Sequence, residues 1–317
     1  MTAEQRQPRI PVRYKTAHQD SARWNELEFR PGDIVISARP RSGTTWMQMI
    51  CAQLVFQTPM LGSQLDVLSP WLDMLTRSRE DVVSDLNAQK HRRFIKTHTP
   101  LDGIPFDDRV TYIAVGRDMR DVGMSWDNHL GNMNMEAFIG ARAQAVGLDD
   151  IADLLAAGGP PPPAESVVER FWTWVDDDGT SPMGIFAGLQ GFLYAIDTYW
   201  AQRDKPNVIM LRYEDLLADL SGQMRLLAGR LGIDVPEERW PELVEAATFS
   251  NMKAAAAVTT PGRKHEIWKN ESQFFHKGTT GQWRDVLGPG DEARFRKRVD
   301  ELATPELAAW LHEPSGW

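Results

Sequence analysis

Apolar and polar positions along this chain follow two rhythms in turn. Short apolar runs, bounded by polar, glycine or proline residues, fall at 34–36 (I-V-I), 93–97 (R-F-I-K-T), 110–115 (V-T-Y-I-A-V) and 208–212 (V-I-M-L-R). Runs of that kind predict buried strands. Between them the apolar residues recur three and four apart. Trp46, Met47, Ile50 and Leu54 mark a helix opening at Thr44, and a second helix is predicted over 120–130. Phe186, Leu189, Leu193, Ile196 and Trp200 define an amphipathic helix over 186–202. Leu216, Leu220, Met224, Leu227 and Leu231 define another, ended at Gly232. Trp71, Leu72 and Leu75 predict a short helix within 58–90. Residues 1–30, polar and without a period, are expected to run across the surface.

Strands alternating with helices predict an α/β fold with a central, mainly parallel sheet flanked by helices. Ligands of such sheets bind at the carboxyl ends of strands. The 37–45 loop, His98 and Arg117 all stand at such ends, so they can converge although far apart in sequence. The run G-G-P-P-P-P at 158–163 excludes helix and central strand. Residues 131–165 therefore read as a long excursion, either the cover of a pocket or a plain exposed loop.

Composition then narrows the picture. By the prior of about 150 residues per domain, 317 residues suggest two domains. No linker divides the chain, so one domain over 1–317 is expected, with a core at about 30–285 and a helical tail at 290–317. A net charge of −9 argues against nucleic acid as a partner and leaves anion binding to local basic residues. Cys51, the lone cysteine, rules out an intrachain disulfide and a Cys-rich zinc site, and reads as a buried core residue. Neither a signal-peptide core nor an apolar run of about 18 residues is present, so a soluble, cytoplasmic protein without a membrane span is expected. Twelve tryptophans and thirteen methionines suit a large core, and some of them suit the wall of a pocket for an apolar ligand. Asp176 to Asp178 reads as a solvated turn, because adjacent carboxylates without further ligand spacing do not make a metal site.

The chemistry concentrates in I-V-I-S-A-R-P-R-S-G-T-T-W, residues 34–46. Strand, tight loop and helix follow one another here. The helix N-terminus offers unpaired N–H groups and a positive dipole end, which together suit an anion, most often phosphate. A Walker A loop would carry glycine at Ala38 and lysine at Thr44. The nearest cation is instead Arg41, inside the loop.

Four blocks resemble the cytosolic sulfotransferase family, in order and spacing, over roughly residues 30–285. P-R-S-G-T-T-W at 40–46 resembles the family's loop for the 5′-phosphosulfate. I-K-T-H at 95–98 resembles the segment with its catalytic histidine. G-R-D-M-R-D-V-G-M-S at 116–125 resembles the block whose arginine and serine hold a 3′-phosphate. F-H-K-G-T-T-G-Q-W at 275–283 resembles the late block that closes over the same phosphate. The resemblance implies a single P-loop nucleotide-kinase-like α/β domain. It implies 3′-phosphoadenosine 5′-phosphosulfate (PAPS) as donor, adenosine 3′,5′-bisphosphate as product, and a small hydroxylated, apolar or aromatic acceptor. On this basis His98 is the general base, with Lys96 and Arg41 as catalytic cations. Arg41, Ser42, Gly43, Thr44 and Thr45 hold the 5′ end, Arg117 and Ser125 the 3′-phosphate, and His276, Lys277 and Gly278 close the site. Trp46 is expected to stack on adenine. Tyr213, in R-Y-E-D, and Thr248, Phe249 and Met252, around an F-x-x-M pair, complete the donor set.

Chemistry explains these residue types. A loose, in-line transfer builds charge on the leaving phosphate, which backbone amides, hydroxyls and cations stabilise. The acceptor must lose a proton, and neutral imidazole is the usual base near neutral pH. No carboxylate set for Mg²⁺ stands out, so no metal is expected. His129 lacks comparable context and is expected to be structural. The family's lysine is Arg41 here, its late arginine is His276, and its K-x-x-x-T-V-x-x-x-E dimer motif is absent around 286–296, which leaves the oligomeric state open. Two other readings compete: a P-loop kinase or NTPase, which calls for a Walker lysine where Thr44 stands, and a non-catalytic binder of adenosine 3′,5′-bisphosphate.

Overall fold

A computed structural model describes residues 10–158, 163–179, 184 and 187–312. Ile34–Ala38 forms strand β1, Phe94–Thr97 β2, Thr111–Gly116 β3 and Val208–Arg212 β4. They make one parallel sheet in the order β2-β1-β3-β4. The register sets Ser37 beside Thr97, Ala38 beside Val115 and Gly116 beside Arg212, so the carboxyl ends lie level. The strands are buried along nearly their whole length. Helices on both faces are the reason their sequences run apolar without alternating.

Helix α1 (Thr44–Phe56) follows β1, and α2 (Leu65–Leu68) and α3 (Arg79–Ala88) precede β2. After β3 come α4 (Met119–Asn132), α5 (Met135–Val146), α6 (Ala152–Ala156), α7 (Val167–Val175) and α8 (Leu189–Trp200). After β4 come α9 (Tyr213–Ala218), α10 (Leu220–Leu231), α11 (Trp240–Ala246), α12 (Phe249–Ala254) and α13 (Ala256–Thr259). Two helices, α14 (Pro289–Leu302) and α15 (Pro305–His312), end the described chain. Ile34, Ile36, Phe94 and Ile113 face one apolar cluster, shared with α1, α10 and α11. Val35, Ile95, Tyr112 and Ala114 face the other, shared with α4, α7, α8, α14 and α15. The period of two along each strand divides these sets between the faces. Gly116 marks how closely the last helix packs: a Cβ there would lie 2.3 Å from the Trp310 ring.

Several local expectations need correction. Residues 71–75 form no helix. Trp71 bridges to Lys96 in β2, Met74 bridges to Gln19, and the Lys96 N–H donates to the Pro70 carbonyl at 3.0 Å. Edge pairing to β2 has overridden the apolar spacing. The helix expected through 216–231 breaks at Asp219, whose carboxylate accepts the Gly222 N–H at 2.8 Å and starts α10 afresh. Residues 10–30 do not simply cross the surface: Trp24, Leu27 and Phe29 are core residues. The 131–165 excursion contains α5 and α6. Phe186 and residues 159–162 lie outside the described residues, and α8 begins at Leu189. Cys51 is buried as expected, and burial pushes its thiol up to about 12.

Candidate active site

The loop after β1 turns on two left-handed residues, Arg41 (φ 67°) and Gly43 (φ 92°). At Gly43 only glycine fits, because a Cβ would come 2.9 Å from the Tyr213 ring. Thr44 Oγ1 donates to the Ala38 carbonyl at 3.3 Å and ties the loop to its strand. Helix α1 has no side-chain cap, so its first N–H groups face the loop together with the positive end of the dipole. Thr45 is half-buried in that first turn. Ser42 Oγ is buried and has no hydrogen-bond partner among the described residues.

Beside the loop lies a corner built from three distant segments. Arg117, at the end of β3, donates through Nη1 to the Arg41 carbonyl at 2.6 Å and through Nη2 to the Thr279 carbonyl at 3.0 Å. Its guanidinium lies 4.2 Å from the centre of the Tyr213 ring, and its buried Nε has no partner among the described residues. The ion pair of Arg117 with Asp118 or Asp121 that its sequence context allows does not form: Asp118 pairs with Arg120 at 2.7 Å. Asp121 instead accepts Thr280 Oγ1 and the N–H groups of Gly281 and Gln282, and so pins the late block to α4. Arg41 reaches across the corner. Its Nε donates to Ser125 Oγ at 2.8 Å, and Nη1 and Nη2 reach the Phe274 carbonyl at 3.4 and 3.3 Å. Burial and the neighbouring Arg117 lower Arg41 to about 10. Gly278 (φ 66°) lets the late block press on Phe249, whose ring a Cβ would meet at 2.4 Å. His276 is half-buried, and Lys277 is exposed.

A second corner lies at the end of β2. His98 is 5% exposed, and its Nδ1 is bonded to the Ala38 carbonyl. A carbonyl only accepts, so Nδ1 carries the hydrogen and Nε2 keeps its lone pair. Burial, then Lys96 and Arg39, hold this imidazole well below its usual range. The same causes keep it neutral, which is the form a base needs. Lys96 Nζ sits 3.9 Å from the centre of the Trp71 ring, and burial lowers it to about 8. Trp71 also meets His98 edge-on, with ring centres 4.5 Å apart. Behind them Asp73 accepts Thr97 Oγ1 at 2.5 Å, Thr99 Oγ1 at 2.6 Å and Trp24 Nε1 at 2.9 Å. Arg39 donates to the His98 carbonyl at 2.6 Å and lies 4.5 Å from the centre of the Phe192 ring. The two corners meet at the end of β1, where Ala38 and Arg39 hold His98 and Arg41 holds Arg117.

A third group lies under α1. Trp46 Nε1 donates to the Ala247 carbonyl at 2.7 Å, and its ring meets Tyr213 edge-on with centres 5.2 Å apart. Met252 is buried in the same cluster, and Thr248 Oγ1 caps α12 ahead of Phe249. His129 packs against Trp126 and Trp268, and burial holds it well below its usual range. Sequence reasoning missed Arg39, Trp71 and Asp73. Arg39 adjoins the recognised loop, which was signal enough; Trp71 and Asp73 lie in a stretch whose apolar spacing predicts a helix and which pairs with β2 instead. Among the described residues no three His, Cys, Asp or Glu side chains are grouped to hold a metal ion. No helix among them is long and apolar enough to cross a membrane.

Comparison with known proteins defines the class. A family model described as the sulfotransferase domain matches residues 31–306, and the chain belongs to that family. It is a PAPS-dependent sulfotransferase. Among its relatives, a glycolipid sulfotransferase of Mycobacterium bovis is 40% identical over 314 residues, covering 95% of this chain and 94% of its own. Retinol dehydratase, solved with androsterone and PAP, aligns with a TM-score of 0.67 at 21% identity over 90% of this chain and 84% of that one. A mouse sulfotransferase solved with PAP aligns at 0.68 and 17% identity over 95% and 98%. At such identities the two structures establish a shared fold.

Proposed function

We propose that this protein transfers the sulfuryl group of PAPS to a hydroxyl on an acceptor with an apolar body, and that His98 is the general base. The bond from His98 Nδ1 to the Ala38 carbonyl carries the reading. It fixes the tautomer with a free Nε2, in surroundings that keep the ring neutral. The donor corner fits a twice-phosphorylated nucleotide. Ser42 Oγ and Arg117 Nε are buried polar atoms without partners among the described residues, and glycines at 43 and 278 keep both walls close. PAPS, when bound, supplies the sulfuryl group and a stable leaving phosphate. Loop N–H groups, Thr44 and Thr45 hold the phosphate end, and Lys96 counters the charge that develops there. His98 takes the acceptor proton on Nε2. Tryptophan and phenylalanine around Arg39 and His98 exclude water from that side.

The name of the 40%-identical relative makes a glycolipid hydroxyl the first acceptor class to test. Purified protein with sulfur-labelled PAPS should label glycolipid acceptors well above sterols and simple phenols. Equal labelling of all three removes the glycolipid preference and leaves the chemistry standing. Tight adenosine 3′,5′-bisphosphate binding with no transfer to any acceptor would favour the non-catalytic binder.

A further inference from the structure

Arg41 stands in the loop for the 5′ end, yet its side chain leaves that loop. The left-handed backbone at Arg41 turns its carbonyl toward Arg117 and sends the guanidinium across to α4 and the late block. The result is two guanidinium groups and the Ser125 hydroxyl converging on one corner. Among the described residues neither Arg41 nor Arg117 forms an ion pair with a carboxylate; their partners are hydroxyl and carbonyl oxygens. Arg117 is 5% exposed, and its Nε has no partner there. Two neighbouring cations with no carboxylate bonded to either, though buried Glu214 lies within Coulombic reach of Arg117, and an orphaned donor between protein walls make an anion site. The late block contributes His276, two residues beyond the Phe274 carbonyl that Arg41 touches. Burial and the nearby Lys277 and Arg41 keep that histidine low, so it supplies little permanent charge.

We propose that Arg41 reads the 3′-phosphate of the donor, beside Arg117 and Ser125, rather than serving the sulfuryl group at the 5′ end. It supplies the permanent planar cation that His276 does not. The inference rests on the reading of PAPS as donor and changes what Arg41 does within it. Arginine suits this task better than lysine, because its fork holds Ser125 Oγ through Nε while presenting further N–H groups to a phosphate oxygen. Ser125 and Arg41 then act as one unit, and a specificity for 3′-phosphorylated nucleotides follows from their bond.

Calorimetry with adenosine 3′,5′-bisphosphate and with adenosine 5′-monophosphate tests the idea through the ratio of the two affinities, which does not depend on the fraction of protein folded. Wild type should prefer the bisphosphate. Arg41→Ala should weaken the bisphosphate roughly 10- to 100-fold, as expected for losing a charged hydrogen bond, and the monophosphate by less than about threefold. Arg41→Gln, which keeps the length of the stem, should behave the same way if the alanine protein is unstable. The double variant Arg41→Ala/Ser125→Ala should lose less than the sum of the two single losses. Equal weakening for both nucleotides would return Arg41 to the 5′ end and overturn the proposal, as would an unchanged ratio. Wild type binding neither nucleotide would overturn the donor reading itself, and this inference with it.

Discussion

The two corners of the site handle charge in opposite ways. At the end of β3, Arg117 and Arg41 are fixed cations held by backbone carbonyls and Ser125, and the late block is strapped down by Asp121. At the end of β2, Lys96 and His98 are titratable groups stripped of water, with Trp71 against both. Burial lowers Lys96 to about 8 and His98 well below its usual range. A guanidinium keeps its proton in either setting, so the first corner suits grip on a permanent anion. Desolvation brings the ammonium toward neutral pH and keeps the imidazole unprotonated, so the second suits chemistry. Binding and turnover should therefore separate when each corner is altered alone.

The largest effect is expected at His98. His98→Ala should lower kcat by about 10²–10⁴-fold while adenosine 3′,5′-bisphosphate affinity stays within a few-fold. In the wild type the acid limb of kcat/KM should lie below pH 6.5, because protonation of a depressed imidazole begins only there. Loss of nucleotide affinity in step with kcat would mean that the two corners are not separable.

Lys96 comes next. Lys96→Met should cost roughly 10²–10³-fold in kcat, the scale of removing one charge-stabilising donor. Its charged form is the active one, and that form is lost as pH rises through about 8. Wild-type kcat/KM should accordingly fall on the alkaline side of about pH 8, and Lys96→Arg should move that limb upward while retaining part of the rate. An alkaline limb unchanged in Lys96→Arg would assign it to another group.

How much of this was legible follows from how each corner is built. The 37–46 loop is contiguous, and its strand, turn and helix are written in one stretch, so Ser42 to Trp46 could be placed from the chain alone. Strand-end positions gave His98 and Arg117, because a parallel sheet levels its carboxyl ends. The β2 corner includes Trp71 and Asp73, which come from a segment that pairs along the edge of β2. Apolar spacing there suggested a helix, and edge pairing won. Trp46 is packed on Tyr213 and bonded to Ala247, a setting that motif reading does not encode. The direction of Arg41 depends on a left-handed backbone that a non-glycine residue seldom adopts, so the sequence argued for the 5′ end and the geometry runs to Ser125.

The smallest effect belongs to His276, and it sharpens the line between fixed and titratable charge. Burial, Lys277, Arg41 and Lys253 all lower this histidine, so at neutral pH it adds no charge to the corner. Below its ordinary 6.5 it begins to take a proton, and bisphosphate affinity should tighten by a few-fold. The ligand opposes that trend, since a phosphate monoester sheds charge near pH 6 and then binds cations less well. The two effects separate by comparing proteins rather than pH values. His276→Arg faces the same ligand with a cation that does not titrate, so the ratio of the two affinities isolates the histidine. That ratio should favour the arginine protein by a few-fold at pH 7.5 and shrink toward one as pH falls. With adenosine 5′-monophosphate it should stay near one throughout. A ratio independent of pH would place His276 outside the anion corner, leaving the fixed cations of Arg41 and Arg117 to hold it with Ser125.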